Sequence, residues 1–511
     1  KTKNSKMNKA TILAILSSIP VYGSKSITNL PESITGKFVP LVDSRTNMIL
    51  DEDGRERYFH GTNVVFKASP YYPKTDSFDP MTSFCDEDME LLQSMGHSTI
   101  RLSLPWAAVE PIDGWFNETY ISVMEDIVNR AGEYGIYTVI EFHQDAWNAM
   151  YCGNGAPDWI SITDSNNFPM PIANPVPVDP TTGHPTRETC DSINNNVWTK
   201  YYFTYSVSEA VGNLYNDAVF RNRFALYWGK IASVFSSSPY VIGYELMNEP
   251  WCGDIYQEPR LLIPGSADHS KLQQLYDETN TAIRQYDTNH LILFQGVTWE
   301  VVIPIGEKHG FTHAPGGDEY ASKSALAWHC DVLTSVTPEE TYFKWKTDEM
   351  KRLSVGGFVT EVVGDSGRCD ILDEFKISWM QFTYKYFGNL TWDNPGLFDP
   401  YCSEPTNLDY CLNKDEVKVW SRTYAKAVAG ITNSFQFNST TKIAELNYLS
   451  NPNCREPTVI FVSEKWIYTN GFDVVVSPAD KVQWTYSNPD HIVVTTTSKY
   501  PINITVSITP R

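Results

Sequence analysis

The sequence predicts an α/β fold, a (β/α)8 TIM barrel followed by a C-terminal antiparallel β-sandwich. Three observations indicate this. Apolar runs alternate with amphipathic segments from about residue 58 to residue 430, polar side chains stand where several of these runs end, and short β-branched runs follow after about residue 435. A chain of 511 residues also exceeds one ordinary hydrophobic core, so we expect a large domain and a smaller one.

Eight apolar runs are predicted as the barrel strands, because continuous apolar runs are typical of parallel strands covered on both faces. They are Tyr58–Phe66, Thr99–Leu104, Tyr137–His143, Val241–Met247, Leu291–Val297, Ala325–Cys330, Gly357–Val363 and Trp379–Tyr384. Helix-like segments between them are Tyr120–Tyr134, Phe220–Phe235, Lys271–Tyr286 and Pro338–Leu353. A doubly wound open sheet is the alternative, but no glycine-rich phosphate loop follows the first run.

The C-terminal part has a different pattern of short strands separated by turn residues. The predicted strands are Thr458–Val462, Phe472–Val476, Val482–Tyr486, His491–Thr497 and Ile502–Ile508. This spacing indicates a small antiparallel sandwich. The predicted domains are therefore a barrel over 35–434 and a sandwich over 435–511.

The N-terminal residues are typical of a secretory signal. A lysine-rich start precedes the uncharged segment Ala10–Ile19 and a small-residue exit at Pro20–Ser24. We expect a signal peptide over 1–24, or 7–24 if Met7 is the start. Extracellular, lysosome-like and digestive compartments all fit this expectation.

Export would allow the nine cysteines to form disulfides. We expect Cys402 to pair with Cys411 and Cys152 with Cys190, and an odd total leaves at least one thiol. Four glycosylation sequons, at Asn117, Asn389, Asn438 and Asn503, agree with secretion.

Charge and composition exclude some functions. The formal net charge of -21 would repel nucleic acid, so no nucleic-acid partner is expected. The cysteines are too scattered for a zinc site, and neither a metal nor a cofactor is expected. The sequence carries no signal of an oligomer, so a monomer is the default expectation.

Two motifs carry the predicted chemistry, and each places a glutamate after an apolar run. They are YELMNEP at 244–250 and GGFVTE at 356–361. Cleavage of a glycosidic bond needs an acid that protonates the leaving oxygen and a carboxylate on the opposite face of the sugar. Glu249 fits the acid that later acts as base, and Glu361 fits the nucleophile. If both face one pocket, the protein is a glycosidase.

Other polar residues at the ends of predicted strands are expected to support this pair. Arg101 is expected to pair with Glu361 and keep it ionised, and Asn248 is expected to bond the 2-hydroxyl of the sugar. His143 and His329 stand at the ends of the third and sixth runs. Each of these residues alone has a structural explanation, such as an ordinary ion pair, but their joint placement favours an active site.

These motifs resemble glycoside hydrolase family five, in the retaining clan of (β/α)-barrel glycosidases. The runs HGTNVVFK at 60–67 and EFHQDAWN at 141–148 resemble endoglycoceramidases more narrowly. The resemblance implies hydrolysis of the bond between a glycan's reducing-end glucose and ceramide. Its substrate would be a glycosphingolipid, with a membrane surface as one place of presentation. It also implies that Lys67 and Asp145 hold glucose hydroxyls, and it adds His60 to the substrate-binding residues.

Two positions depart from the family pattern. The sixth-strand histidine is followed by Cys330 and Asp331, where family members often have a tyrosine near the nucleophile. The eighth strand usually ends in a tryptophan that forms the floor of the sugar site. Trp379 is the expected counterpart here, and Phe382 is the alternative.

Two other functions are compatible with the motifs. One is a family-five β-glucanase or β-glucosidase that acts on other glucosides, and the other is a non-catalytic barrel that binds carbohydrate or lipid. The intact glutamate pair argues against the non-catalytic alternative. Ceramide requires an apolar groove on the aglycone side, whereas a glucan requires a row of aromatic platforms.

Overall fold

The structure is a computed structural model that describes residues 35–163, 177–194, 197–297, 309–330, 338–363, 366–387, 396–487 and 490–511. The predicted signal segment and the sequon at Asn389 lie outside these residues. Within the described ranges, no helix has both the length and the apolar character that crossing a bilayer requires.

A closed barrel of eight parallel strands forms the large domain, which confirms the predicted fold. Three short strands precede it: β1 (Leu41–Asp43), β2 (Met48–Leu50) and β3 (Glu56–Arg57). The barrel strands follow one another in chain order and overlap the eight predicted runs. They are β4 (His60–Val64), β5 (Thr99–Ser103), β6 (Tyr137–Glu141), β7 (Val241–Glu245), β8 (Leu291–Gln295), β9 (Ser324–Cys330), β10 (Gly356–Val362) and β11 (Ser378–Gln381).

Helices of the described residues lie between and after these strands. They are α1 (Asp86–Met95), α2 (Trp106–Val109), α3 (Glu118–Glu133), α4 (Arg187–Asn194), α5 (Tyr205–Asn216), α6 (Ala218–Phe235), α7 (Gln273–Arg284), α8 (Glu339–Leu353), α9 (Ser366–Glu374), α10 (Leu408–Cys411) and α11 (Lys414–Trp420). Helix α3 shows how the sequence specifies them: Asn117 caps its first turn by accepting a hydrogen bond from the backbone N–H of Tyr120, and its apolar stripe is buried.

The barrel interior changes from apolar to polar along the strands. Large apolar side chains such as Phe59, Leu293 and Phe358 fill the end where the strands begin. Further along the strands, Arg101 and Glu245 are completely buried. Because all eight strands run in the same direction, the polar residues at their carboxyl ends meet at one rim.

Two antiparallel sheets form the C-terminal domain, as predicted. Their strands after the barrel are β12 (Tyr424–Val428), β13 (Gly430–Phe437), β14 (Ala444–Ser450), β15 (Thr458–Phe461), β16 (Phe472–Ser477), β17 (Val482–Ser487), β18 (His491–Thr496) and β19 (Asn503–Pro510). One sheet has the order β1-β2-β3-β12-β15-β18-β17 and the other β13-β14-β19-β16. Apolar side chains such as Ile460, Ile492, Leu446 and Val506 form the core of this domain.

The domain limits differ from the prediction in two ways. The predicted boundary between residues 434 and 435 falls inside β13, because β12 and β13 already belong to the C-terminal sheets. In addition, β1, β2 and β3 lie within the predicted barrel segment 35–434 but join the C-terminal sheet through β12. These three strands have two or three residues each, which is too short for a strand pattern in the sequence.

Both expected disulfides are present, between Cys152 and Cys190 and between Cys402 and Cys411. The first closes the long segment between β6 and β7. This segment carries Trp198, which reaches the rim of the barrel.

Candidate active site

A narrow pocket opens at the carboxyl ends of the barrel strands. Most of the predicted site residues surround it. Its lining consists of Lys67, His143, Asp145, Trp198, Asn248, Glu249, Glu361, Val363 and Phe382. Arg101 and His329 lie directly behind the two glutamates and are buried.

The two glutamates meet across this pocket. An oxygen of Glu249 and an oxygen of Glu361 lie within 4.8 Å of each other. His329 lies between them, with its Nδ1 2.9 Å from Oε1 of Glu249 and 3.6 Å from Oε2 of Glu361. Burial opposes a charge on His329, but the carboxylates of Glu361 and Glu249 raise its pKa to about 9. His329 is therefore a cation shared by both carboxyl groups at neutral pH.

The backbone of Glu249 has an unusual conformation that aims its side chain. Its φ of 39° lies in the left-handed region, which a residue with a side chain rarely adopts. Its backbone N–H donates to Oε1 of Gln295 at 2.6 Å, and its carbonyl accepts from Nε2 of Gln144 at 2.9 Å. Gln144, just after β6, and Gln295, at the end of β8, thus hold this strained turn in place.

Arg101 contacts the second glutamate directly, as predicted. Its Nη1 donates to Oε1 of Glu361 at 2.5 Å, and its Nη2 donates to Oδ1 of Asn248 at 2.8 Å. Burial raises the pKa of Glu361, while the charges of His329 and Arg101 act in the opposite direction. The contact expected from the sequence is therefore present, but its effect on ionisation competes with that of burial.

A second ion pair borders the same pocket. The Nζ of Lys67 lies 2.7 Å from Oδ2 of Asp145, and both side chains are almost completely buried. His143 is 3.4 Å from the same oxygen and 2.7 Å from Glu141. Burial opposes ionisation of Asp145, but Lys67 and His143 hold its pKa far below its usual range. Charged groups at this position can orient sugar hydroxyls by strong hydrogen bonds.

An aromatic row leads from the pocket to the surface. Trp198 lines the pocket, and its ring centre lies 5.9 Å from that of Tyr202. Tyr202 stacks on Trp251 at 5.4 Å, and Trp251 contacts Phe203 at 5.1 Å. Phe203 is 41% exposed. Tyr202 and Trp251 are buried, so the middle of this row lies beneath the surface and supports Trp198 from behind.

Two predicted substrate-binding residues, His60 and Trp379, do not reach the pocket. The ring of His60 stacks on Trp379 at 4.3 Å and on Tyr424 at 3.7 Å, and its Nε2 lies 3.1 Å from Asp373. Trp379 donates from Nε1 to the same carboxylate at 3.3 Å. Both side chains point away from the barrel interior, toward α9 and β12. Phe382, the alternative, lines the pocket instead.

Sequence reasoning missed the carboxylates inside the strands. Glu141 and Glu245 are fully buried beside Arg101, at 3.6 Å and 2.7 Å respectively. A glutamate inside an otherwise apolar strand could have indicated such a residue, because a charge buried in a strand requires a partner of opposite charge.

Glu249, His329 and Glu361 also offer three possible ligand atoms for a cation. Arg101 already places a positive charge 2.5 Å from Glu361, and a second cation in the same space would repel it. This charge arrangement favours two glutamates that are hydrogen-bonded to His329 and Arg101 over a bound metal ion. The expectation that no metal takes part remains a prediction.

Comparison with known proteins agrees with this geometry. Residues 80–329 match the family described as cellulase (glycosyl hydrolase family 5), and residues 422–508 match the glycoside hydrolase family 5 C-terminal domain. An endoglycoceramidase from Hydra vulgaris is 40% identical over 458 residues, which cover 86% of this chain and 84% of that protein. This chain belongs to the endoglycoceramidase family, within glycoside hydrolase family 5. It is therefore a glycoside hydrolase.

A second similar sequence supports the same assignment, and a solved structure has the same fold. An endoglycoceramidase from Cyanea nozakii is 37% identical over 469 residues, covering 89% of this chain and 90% of that protein. The structure of endo-glycoceramidase II from Rhodococcus sp. in a ganglioside GM3 complex has a TM-score of 0.69 and 21% identity, and the match covers 90% of this chain and 99% of that chain. At this identity the likeness concerns the fold.

Proposed function

We propose that this protein hydrolyses the β-glycosidic bond between the oligosaccharide and the ceramide of glycosphingolipids. The observation that carries the proposal is the approach of Glu249 and Glu361 to within 4.8 Å across one pocket. Retaining glycosidases hold their two carboxyl groups about 5–5.5 Å apart, whereas inverting enzymes need about 6.5–9.5 Å to admit a water. The names of the relatives from Hydra vulgaris and Cyanea nozakii support the choice of substrate.

The first step transfers the glycan to the protein. Glu249 donates a proton to the glycosidic oxygen while Glu361 attacks the anomeric carbon, so that ceramide leaves as an alcohol and a glycosyl ester forms. Arg101 and His329 stabilise Glu361 as a carboxylate before the attack. Asn248 is fixed by Arg101 and has an N–H available for the sugar's 2-hydroxyl.

The second step releases the glycan. The first step leaves Glu249 as a carboxylate, and esterification has removed the negative charge of Glu361 beside it. Glu249 can then accept a proton from water, which attacks the anomeric carbon and regenerates the free carboxylate of Glu361. Two inversions give net retention of configuration.

The two sides of the pocket suit the two parts of the substrate. Lys67 and Asp145 present charges that match glucose hydroxyls, and Phe382 provides an aromatic surface for the sugar ring. Trp198 at the pocket and the exposed ring of Phe203, in the same short segment 198–203, support contact with an apolar aglycone and presentation of the substrate at a lipid surface.

We also propose that the protein enters the secretory route and acts as a monomer. Two disulfides support an oxidising compartment. Two sequon asparagines, Asn438 and Asn503, are exposed and accessible to glycosylation. Glycosidase treatment followed by mass measurement of the secreted chain, together with its size in solution, tests these points.

One experiment tests the proposed reaction. The purified protein is incubated with a ganglioside in phosphatidylcholine vesicles and, separately, with a soluble β-glucan. Free ceramide and an intact oligosaccharide are expected from the first, with the β-anomer formed initially in proton NMR spectra. Trimming of the glucan without release of ceramide, or initial formation of the α-anomer, would contradict the proposal.

A further inference from the structure

We propose that Glu245 is a positioning residue: it fixes the plane of the Arg101 guanidinium, so that Arg101 in turn holds the nucleophile Glu361 and Asn248. This inference rests on the proposed function, because it concerns how the same site holds its reacting groups. Glu245 lies on β7, four residues before Glu249, and does not contact the pocket itself.

The geometry shows a guanidinium with every donor occupied. Nε donates to Oε2 of Glu245 at 2.7 Å, and Nη2 donates to Oε1 at 3.1 Å, so one edge of Arg101 is held by two bonds. The remaining N–H groups reach Glu361 at 2.5 Å, Asn63 at 3.1 Å and Asn248 at 2.8 Å. An arginine has five N–H donors, and all five have an acceptor here.

Glu245 is itself fixed by its surroundings. Its side chain is fully buried, and Oε1 also accepts a hydrogen bond from Oγ1 of Thr360 at 3.0 Å. Thr360 immediately precedes the nucleophile on β10. The carboxylate of Glu245 therefore links the strand that leads to Glu249 with the strand that carries Glu361.

A carboxylate is required at this position for two reasons. A two-bond contact with Arg101 fixes both the position and the orientation of the guanidinium plane, which a single bond cannot do. In addition, burial opposes a charge on Arg101, and the carboxylates of Glu141, Glu245 and Glu361 together raise its pKa. Without Glu245, Arg101 would be free to rotate toward Glu141, which lies 3.6 Å from its Nη2, and away from Glu361.

Glu245→Gln tests the idea on a soluble aryl β-lactoside and on the glycolipid. The variant amide places an N–H against Arg101 and breaks one of the two bonds. Because misplacement by about 1 Å can cost about a hundredfold in rate, we expect kcat to fall about a hundredfold while KM changes less than about threefold. A general loss of folding would instead lower the fraction of active protein and the thermal midpoint.

A double-mutant cycle separates action through Arg101 from an independent role. If Glu245 acts through Arg101, Glu245→Gln should lower kcat by less than about threefold when Arg101→Lys is already present. Glu56→Gln is the matched control, because Glu56 is a buried glutamate in the C-terminal sheet and hydrogen-bonds Tyr58 and Thr432. It should leave kcat unchanged.

Two results would overturn the inference. One is a folded Glu245→Gln protein with kcat close to wild type, and the other is a full hundredfold loss in the Arg101→Lys background. If Glu245→Gln does not fold, Thr360→Val replaces it, since it removes one bond to Glu245. A fall in kcat of about tenfold at constant KM is then expected, and an unchanged kcat would contradict the proposal.

The test also distinguishes this inference from the proposed function. Hydrolysis of the aryl lactoside without cleavage of the glycolipid would reject the proposed substrate, while the comparison of variants would remain valid. If the protein hydrolyses neither, a crystal structure of Glu245→Gln decides the point. Loss of the 2.5 Å contact between Arg101 and Glu361 is expected, and its persistence would overturn the inference.

Discussion

Two groups of buried histidines, carboxylates and arginines lie on this barrel, and they differ in access. The rim group, defined here as Glu249, Glu361, His329 and Arg101, borders the pocket, where the two glutamates are 9% and 8% exposed. The interface group comprises His60, Asp373, Arg422 and Tyr424, and it is enclosed by α9, α11 and β12. The same residue types thus form an active site in one place and a structural contact in the other.

The electrostatics of the two groups differ in the same sense. Burial lowers the pKa of His60 in spite of the nearby Asp373, so this ring is neutral. At the rim, two carboxyl groups raise the pKa of His329 to about 9 although burial opposes the charge. At the rim, two carboxyl groups and two cations share one set of contacts around the pocket. In the interface group Asp373 pairs with Arg422 at 2.7 Å, and His60 adds no charge.

The largest expected effect comes from the rim glutamates. Glu249→Gln and Glu361→Gln should each lower kcat on the glycolipid by more than about a thousandfold, because each removes a group that reacts directly. The measurement is the initial rate of ceramide release, with thermal unfolding to check the fold.

Asp373→Asn is the corresponding change in the interface group. It should leave kcat within about threefold of wild type, since Asp373 contacts no residue of the pocket. Wild-type turnover in either glutamate variant would remove the catalytic assignment, and an inactive but folded Asp373 variant would remove the distinction between the two groups.

Lysines give a smaller contrast. Lys67→Met should lower kcat/KM by about 10- to 100-fold, because a buried hydrogen bond from a charged group contributes about 1.5–3 kcal/mol. Lys426 on β12 is also buried, and burial lowers its pKa to about 7. Because Lys426 is not part of the pocket lining, Lys426→Met should leave kcat/KM unchanged. An equal fall in kcat/KM in the two variants would contradict the proposed hydrogen bond from Lys67 to the sugar.

His60→Phe should affect stability and leave catalysis unchanged. The change keeps an aromatic ring between Trp379 and Tyr424 but removes the hydrogen bond to Asp373, so the free energy of unfolding should fall by about 1–3 kcal/mol. Urea unfolding measures this, and kcat/KM on the aryl lactoside should be unaltered. A folded variant with a raised KM would return His60 to the substrate-binding residues.

The last contrast concerns the dependence of stability on pH. The pKa of His329 is raised from 6.5 to about 9, so its charge stabilises the fold fully below pH 6.5 and loses this effect as pH rises through 9. The pKa of Lys426 is lowered from 10.5 to about 7. Burial of this lysine therefore destabilises the fold fully below pH 7, and this penalty disappears as pH rises toward 10.5.

Urea midpoints at several pH values test these opposite signs. The stability advantage of wild type over His329→Gln should shrink from pH 6.5 to pH 9. The advantage of wild type over Lys426→Met should grow between pH 7 and pH 10.5. Parallel curves for all three proteins would show that neither group titrates as described.

The barrel could be predicted because its strands are continuous apolar runs of sufficient length. The same continuity explains the error at His60 and Trp379. When both faces of a strand are buried, the sequence has no alternation between apolar and polar residues, so the direction of a side chain cannot be inferred. Lys67 and Phe382 lie beyond the strand ends, where the chain turns toward the rim.

The site could be predicted in its reacting groups but not in their support. Glu249 and Glu361 follow strand ends, a position that indicates chemistry in a barrel. Glu245 and Gln295 hold other site residues through contacts between strands that are distant in sequence, such as the bond from the Glu249 N–H to Gln295. Such contacts depend on the register of closed strands, which one sequence does not reveal.

The pairing of β3 with β12 has a consequence for dissection of the molecule. Arg57 on β3 donates to the carbonyl of Lys426 at 2.9 Å and stacks over Phe59 and Tyr137 at the closed end of the barrel. Strands from before and after the barrel in sequence, β1 to β3 and β12, β15, β17 and β18, therefore form one sheet. After proteolysis between α11 and β12, the two fragments should co-elute in gel filtration until denaturant is added. A protein shortened to the barrel alone should not fold.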